Sequence, residues 1–312
     1  MKKIITITLN PAFDLHYGLD SFTPEKENYV KTVVCDAGGK GINISRALEF
    51  NGFKNLAYVI LGKENGAQFE QNMAEDGVNY VPMYVEGRIR ENITIHPANA
   101  PETRISLDNF SIDAKQLGEL YAKLEGELDA DTLVSFSGRI PKGVSKAEVI
   151  GFLKDIIAKG AKVAVDSNSL TPEDLITIRP WFIKPNEQEI TTFLGREIND
   201  AAEAAVVAEE LVNRGLAEEV MISLGGLGSV WSDGSRRVVI SVPRIETPVS
   251  TIGAGDSTVA GYLAASSRGD CYEDALRLAC SFGTAACMTE GTRPPMPADV
   301  KKIFENITVK NV

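Results

Sequence analysis

The chain has 312 residues, 44% of them hydrophobic, which suits one large α/β domain or a main domain with a small appendage. Its 43 acidic and 32 basic residues leave a net charge of −11, which argues against nonspecific nucleic-acid or acidic-membrane binding and makes any anionic ligand depend on local positive charge. No run approaches the roughly 18 apolar residues of a membrane span, and four cysteines without C-x-x-C spacing plus two histidines argue against zinc, so buried reduced thiols in a cytoplasmic protein are expected.

The elements follow in chain order. Residues 3–9 alternate threonine with apolar residues and read as a strand rather than a signal sequence. Segment 15–36 is strand-prone, with no helix behind it. Gly38-Gly39-Lys40-Gly41-Ile42-Asn43 then opens a helical stretch over 41–51. A strand is expected at 56–61, and 88–107 is again strand-prone without a following helix. Helices at 115–127, 146–158 and 201–214 alternate with strands at 132–136, 162–166, 181–184 and 219–224. Thr251-Ile252-Gly253-Ala254-Gly255-Asp256-Ser257 leads into a helix whose Val259, Tyr262 and Leu263 share a face. In a further helix, Ala275, Ala279, Phe282 and Ala286 do the same. The alternation predicts a mostly parallel sheet with helices on both faces. Segments 15–36 and 88–107 pair into a small antiparallel sheet outside it, as a lid or as plain edge hairpins. There is no internal repeat and no low-complexity linker.

Open α/β sheets bind ligands at the carboxyl ends of their strands. Asn10, Pro11 and Asp14 follow the first strand; Ser137, Gly138 and Arg139 follow 132–136; Asp166 ends its strand. Lys184, Pro185 and Asn186 follow 181–184, and Ser223-Leu224-Gly225-Gly226 closes the next. The glycines at 38, 39 and 41 let a ligand approach the backbone, Lys40 suits a phosphate and Asn43 a sugar hydroxyl, although the spacing is neither a P-loop nor G-x-G-x-x-G. A plain glycine turn with Asn43 on a solvated helix face is the other reading. Asn186 and Glu189 share a helix face and either hold Mg²⁺ through its waters or are solvated surface. Arg88 and Arg90 point to one side of a strand, toward a phosphate or into solvent. His16 and His96 have no partner pattern and read as structural. In the 251–257 segment, glycines and a helix N-terminus attract an anion, so Asp256 there is either a base beside phosphate charge or a helix cap.

Together these motifs resemble the ribokinase-like (PfkB) carbohydrate kinases over nearly the whole chain, closest in their hexose-phosphate branch of 1-phosphofructokinase and tagatose-6-phosphate kinase. The two signatures lie at Gly38–Asn43 and Thr251–Ser257, in the family's order with Asn10–Asp14, Lys184–Glu189 and Ser223–Gly225. The resemblance implies a single three-layer α/β kinase domain over 1–312, with a small antiparallel β lid from about 15–36 and 88–107. It implies transfer from MgATP to a ketohexose monophosphate, fructose 1-phosphate giving fructose 1,6-bisphosphate. Tagatose 6-phosphate, another sugar, or a non-catalytic sugar-phosphate sensor are the alternatives. Asp256 resembles the base, and Gly253, Ala254 and Gly255 the anion hole. Asp14, Gly38, Gly39 and Asn43 resemble the sugar contacts, and Lys40 and Arg90 the clamp on the substrate's own phosphate. Lys184, Asn186, Ser223, Gly225 and Gly228 resemble the ATP contacts, and Glu189 the residue tied to Mg²⁺. Arg139 stands where the family has serine, so it strengthens that clamp or changes the sugar. The exposed strands of a lid also offer a homodimer contact.

Overall fold

The computed structural model describes residues 1–108 and 110–312. The chain enters through β1 (Lys3–Thr8), then leaves the main body for β2 (Ala12–Leu19) and β3 (Thr32–Gly38). It returns through α1 (Lys40–Phe50), β4 (Leu56–Gly62), α2 (Gly66–Glu75) and β5 (Tyr80–Val85), and leaves again as β6 (Arg90–Pro97) and β7 (Thr103–Ser106). A regular alternation follows: α3 (Ala114–Leu124), β8 (Thr132–Ser137), α4 (Lys146–Ala158), β9 (Lys162–Asp166), α5 (Pro172–Ile178) and β10 (Phe182–Ile183). Two helices, α6 (Glu187–Leu194) and α7 (Ala201–Asn213), precede β11 (Glu219–Ser223), β12 (Ser229–Ser232) and β13 (Arg237–Ser241). The chain closes with α8 (Ala254–Arg268), α9 (Tyr272–Ala286), α10 (Pro297–Phe304) and β14 (Thr308–Asn311).

The main sheet runs β14-β13-β12-β11-β10-β9-β8-β1-β4-β5. It is parallel from β11 to β5, with β12, β13 and β14 added antiparallel at one edge. The parallel strands are buried on both faces, so they read as continuous apolar runs. Strand alternation still sorts them. Ile5, Val134, Val163, Ile183 and Val220 belong to one hydrophobic cluster; Ile4, Leu133, Ala164, Phe182 and Met221 belong to a second one, with α1, α8 and α9. Helices therefore cover both faces, as expected for a three-layer α/β fold.

β1 sits where the sheet order reverses, between β4 and β8. At such a point the connections diverge and leave a crevice at the strands' carboxyl ends. Small residues bring the helices close to it. A Cβ on Gly41 would stand 2.3 Å from Thr8 Oγ1, so α1 seats directly on β1. A Cβ on Gly261 would stand 2.6 Å from the Leu278 carbonyl, so α8 and α9 nearly touch backbone to backbone. Most of α8 is buried, which fixes the end that carries Asp256.

The second sheet runs β3-β2-β6-β7, with antiparallel β2–β3 and β6–β7 pairs joined by a parallel β2–β6 pair. It lies where segments 15–36 and 88–107 place it. The register sets Asp14 beside Asn92, and strand alternation puts Arg90, Asn92, Asp14 and His16 on one face. Phe13 and Leu15 occupy the other, against the core.

One expectation fails. Of the four thiols only Cys280 is buried; Cys35 and Cys287 are half-buried and Cys271 is exposed, because the latter three sit on strand and helix margins. All four are free. The histidines are not isolated: the parallel β2–β6 pairing brings His16 Nδ1 to 2.9 Å from His96 Nε2, and His96 Nδ1 lies 2.9 Å from Glu102 Oε1. Residues 80 positions apart leave no trace of such a pair in local sequence.

Candidate active site

Three of the five strand ends singled out in the sequence line one cavity; those at Asn10–Asp14 and Ser137–Arg139 are not part of its lining. A cavity of about 1060 Å³ opens at the carboxyl edge of β9, β10 and β11 and is walled by α8 and α9. Lys40, Lys184, Asn186, Glu189, Ser223, Gly225 and Gly228 line it, as do Gly253, Ala254, Gly255 and Asp256. Its far wall is apolar, from Val242, Pro243, Ile245 and Pro248 together with Cys280 and Cys287. No sequence motif marks this wall, which comes from a loop and a helix. Gly228 has a reason of its own to be glycine: at φ +99°, a Cβ there would stand 2.1 Å from the Ile240 carbonyl.

Gly253 opens α8 in the left-handed region, φ +79°, which glycine alone adopts freely. Asp256 does not cap this helix, so the capping reading of this residue fails. Its carboxylate turns instead toward α1, where Asn43 Nδ2 donates to Oδ2 at 2.8 Å. The first amides of a helix have no partner within it. Ala254 N–H makes a long 3.4 Å contact with the Thr251 carbonyl. Among the described residues, the Gly253 and Gly255 amides have no such backbone partner.

Burial pushes the Asp256 carboxyl up to about 6; Lys40 pulls it down and Asp166 pushes it further up. A carboxylate poised so close to neutrality is fitted to take a proton.

Asp166, at the end of β9, holds the other half of this charge cluster. Lys40 Nζ donates to its Oδ1 at 2.8 Å, while its Oδ2 is buried without a partner. Burial alone would raise this carboxyl; Lys40 and Lys184 outweigh that and hold it below the usual range. Burial would likewise lower the Lys40 ammonium, but Asp166 and then Asp256 keep it above the usual lysine range. Lys184 Nζ lies 3.2 Å from where a Cβ on Gly255 would stand, and 3.4 Å from Ser223 Oγ. Two ammonium groups thus flank the glycine loop inside an acidic protein. Asp166 was visible only as a polar strand end, because its partner is 126 residues away.

A second group forms on the small sheet. Arg90 Nη1 donates to Asn92 Oδ1 at 2.9 Å, and Asn92 Nδ2 donates to Asp14 Oδ1 at 2.9 Å. The Asp14 carboxylate lies against Gly38, where a Cβ would stand 2.1 Å from Oδ2. Gly39 packs on Pro11. Burial raises Asp14. Arg90 is lowered by burial and then by Arg139, its nearby like charge, and its Nε is buried without a partner. Arg139 itself is exposed on the loop after β8. Lys40 is ion-paired to Asp166 and lines the cavity. Its ammonium follows Asp166, the nearest buried carboxylate.

Asn186 and Glu189 form a reciprocal capping box at the start of α6: Glu189 N–H donates to Asn186 Oδ1, and Asn186 N–H to Glu189 Oε2, both at 2.9 Å. Among the described residues no group of three or more His, Cys, Asp or Glu side chains could hold a metal ion. No helix among them is long and apolar enough to cross a membrane.

One cavity thus holds Lys40, Lys184 and Asp256, with Asn43 of α1 bonded to Asp256, while Arg90, Asn92 and Asp14 form a polar row on the small sheet. The model of the pfkB family carbohydrate kinases matches residues 5–299. The chain belongs to that family. This carbohydrate kinase is 32% identical to 1-phosphofructokinase of Haemophilus influenzae, over 84% of each chain. It is 30% identical to the Escherichia coli 1-phosphofructokinase, over 91% of each. The structure of E. coli phosphofructokinase-2 in complex with substrates and products superposes with a TM-score of 0.89 at 25% identity, covering 97% of this chain and 99% of that one. Kinases of the pfkB family use ATP and Mg²⁺.

Proposed function

We propose that this carbohydrate kinase transfers the γ-phosphate of ATP to the free terminal hydroxyl of fructose 1-phosphate, forming fructose 1,6-bisphosphate and ADP. The observation that carries the reading is Asp256, buried in the first turn of α8 without capping it and lining the cavity beside Lys40, Lys184 and the glycine loop. ATP occupies the cavity, its base against the apolar wall and its phosphates toward Lys184, Asn186, Ser223, Gly225 and Gly228. The sugar lies on Asp14, Gly38, Gly39 and Asn43, and its own phosphate between Arg90 and Arg139. Asp256 takes the hydroxyl proton as the oxygen attacks; the bond from the γ-phosphorus to the bridging oxygen breaks and ADP departs. Gly253, Ala254 and Gly255 hold the migrating group with Lys40 and Lys184 beside them, so charge forms where donors already point. The small sheet closes over the sugar and keeps water from the γ-phosphate.

The donors suit Mg²⁺, which prefers oxygen and keeps most of its waters. Asp166 Oδ2 and Glu189 are the carboxylates available, beside the expected phosphates. When bound, the ion neutralises phosphate charge.

Release of ADP over fructose 1-phosphate, fructose 6-phosphate, tagatose 6-phosphate and free sugars tests the reading. Fructose 1-phosphate should give the highest kcat/KM. A higher value for either other phosphate reassigns the sugar, and release with none of them removes the kinase reading.

The position of Asp256 near 6 also sets a pH profile. The base form grows as pH rises, so kcat/KM should climb through about 6 and level above it. A profile flat from pH 5 to 8 would exclude Asp256 as the titrating base.

We also propose a homodimer in the cytoplasm, formed through the small sheet. Val33 is 61% exposed and Ile105 47%, and both point to its apolar face. Val33→Asp with Ile105→Asp should convert a dimer to a monomer in sedimentation. Retention of the dimer would place the interface elsewhere.

A further inference from the structure

Arg46, on α1, is a buried cation outside the lining of the cavity. Its guanidinium reaches three separate segments. Nε lies 2.6 Å from Asp76 Oδ2, after α2, and Nη2 lies 3.6 Å from Asp36 Oδ1 on β3. Nη1 lies 3.4 Å from the Ala37 carbonyl and 3.4 Å from Thr292 Oγ1. A charge this deep is costly unless paired, and removing one partner strands the rest.

The Thr292 contact connects this network with the chemistry. Thr292 packs on the glycine loop: a Cβ on Gly253 would stand 3.5 Å from Thr292 Cα and 3.7 Å from its Cγ2. The preceding residue in the loop, Gly291, meets the small sheet, where a Cβ would stand 3.2 Å from His16 Nε2. One short loop thus touches the anion-binding turn on one side and the sugar-binding sheet on the other. Arg46 fastens that loop to the base of β3, two residues before Gly38.

We infer that Arg46 and Thr292 are positioning residues for phosphoryl transfer, setting where the Gly253–Gly255 amides stand relative to the sugar sheet; this rests on the kinase reading above. Neither touches a reacting atom. Amides displaced by a few tenths of an ångström still admit ATP in the ground state but meet the migrating phosphoryl group less well, so the loss should fall on kcat.

Thr292→Val keeps the shape and the packing on Gly253 and removes only the oxygen. It should lower kcat about tenfold, with both KM values within about twofold of wild type. Affinity for MgADP with aluminium fluoride, in the presence of fructose 1-phosphate, should fall by the same factor as kcat. Arg46→Met should cost more, Arg46→Lys should recover part of it, and the Arg46→Met/Thr292→Val double variant should be no worse than Arg46→Met, because both act by one route. An unchanged kcat in Thr292→Val, or a loss seen only in Tm, overturns the inference even if Arg46→Met does not fold. A wild-type protein inactive toward every sugar phosphate would instead overturn the reading beneath it.

Discussion

Asp256→Asn should lower kcat by at least about 10³-fold while ATP binds with near-normal affinity. The substitution preserves shape, and the Asn43 amide still finds an oxygen at 2.8 Å. What it removes is the acceptor for the hydroxyl proton. The Gly253–Gly255 amides, Lys40 and Lys184 remain, so ground-state binding of nucleotide survives. Steady-state kinetics and titration with ADP check the two halves separately. A variant within tenfold of wild type would mean that the proton leaves by another path.

The same substitution should raise Tm by a few degrees at pH 8. Burial lifts the Asp256 carboxyl from its ordinary 3.8 to about 6, so folding opposes its ionisation. The sign follows: this penalty on stability is absent below about 4, grows as pH rises, and is complete above about 6. Asparagine never pays it, which makes this site an instance of function held against stability. A Tm lowered at pH 8 would show that Lys40 and Asn43 gain more from the charge than burial costs.

Arg90→Met should raise the KM for fructose 1-phosphate about 100-fold and leave the KM for ATP unchanged. Its Nε is buried without a partner, Arg139 repels it, and Asp14 offsets that only in part. A half-buried guanidinium in that condition, with a second one nearby, suits a dianion, and a sugar phosphate brings one. Arg139→Ser should give a smaller rise, about tenfold, because Arg139 is exposed and water screens it. Turnover of free fructose, where measurable, should not fall in either variant. A shift in the KM for ATP would place these arginines at the nucleotide rather than the sugar.

The glycine segments were legible because each opens a helix at a strand's carboxyl edge, and local sequence carries that pattern. The β12–β13 hairpin and β14 are not marked in the sequence, since strands of four and five residues carry too little periodicity. The helix 41–51 was placed to within one residue, whereas the 181–184 strand shrank to Phe182–Ile183 because Lys184 turns into the cavity. Asn92 and Arg46 carry no sequence signal, and Asp166 only that of a polar strand end, because each acts through partners far away in the chain. The Lys40–Asp166 ion pair has no mark in the sequence, because its two residues come from distant parts of the chain.

The sequence by itself determined the alternating α/β order, the two glycine turns and the carboxylate at 256, because backbone freedom and apolar period are local properties. Only the tertiary structure decided which charges stand together. Lys40 came to pair with Asp166, and two unremarkable histidines became neighbours. Ion pairing depends on distance across the fold and on burial, and neither is written in the spacing of residues along the chain.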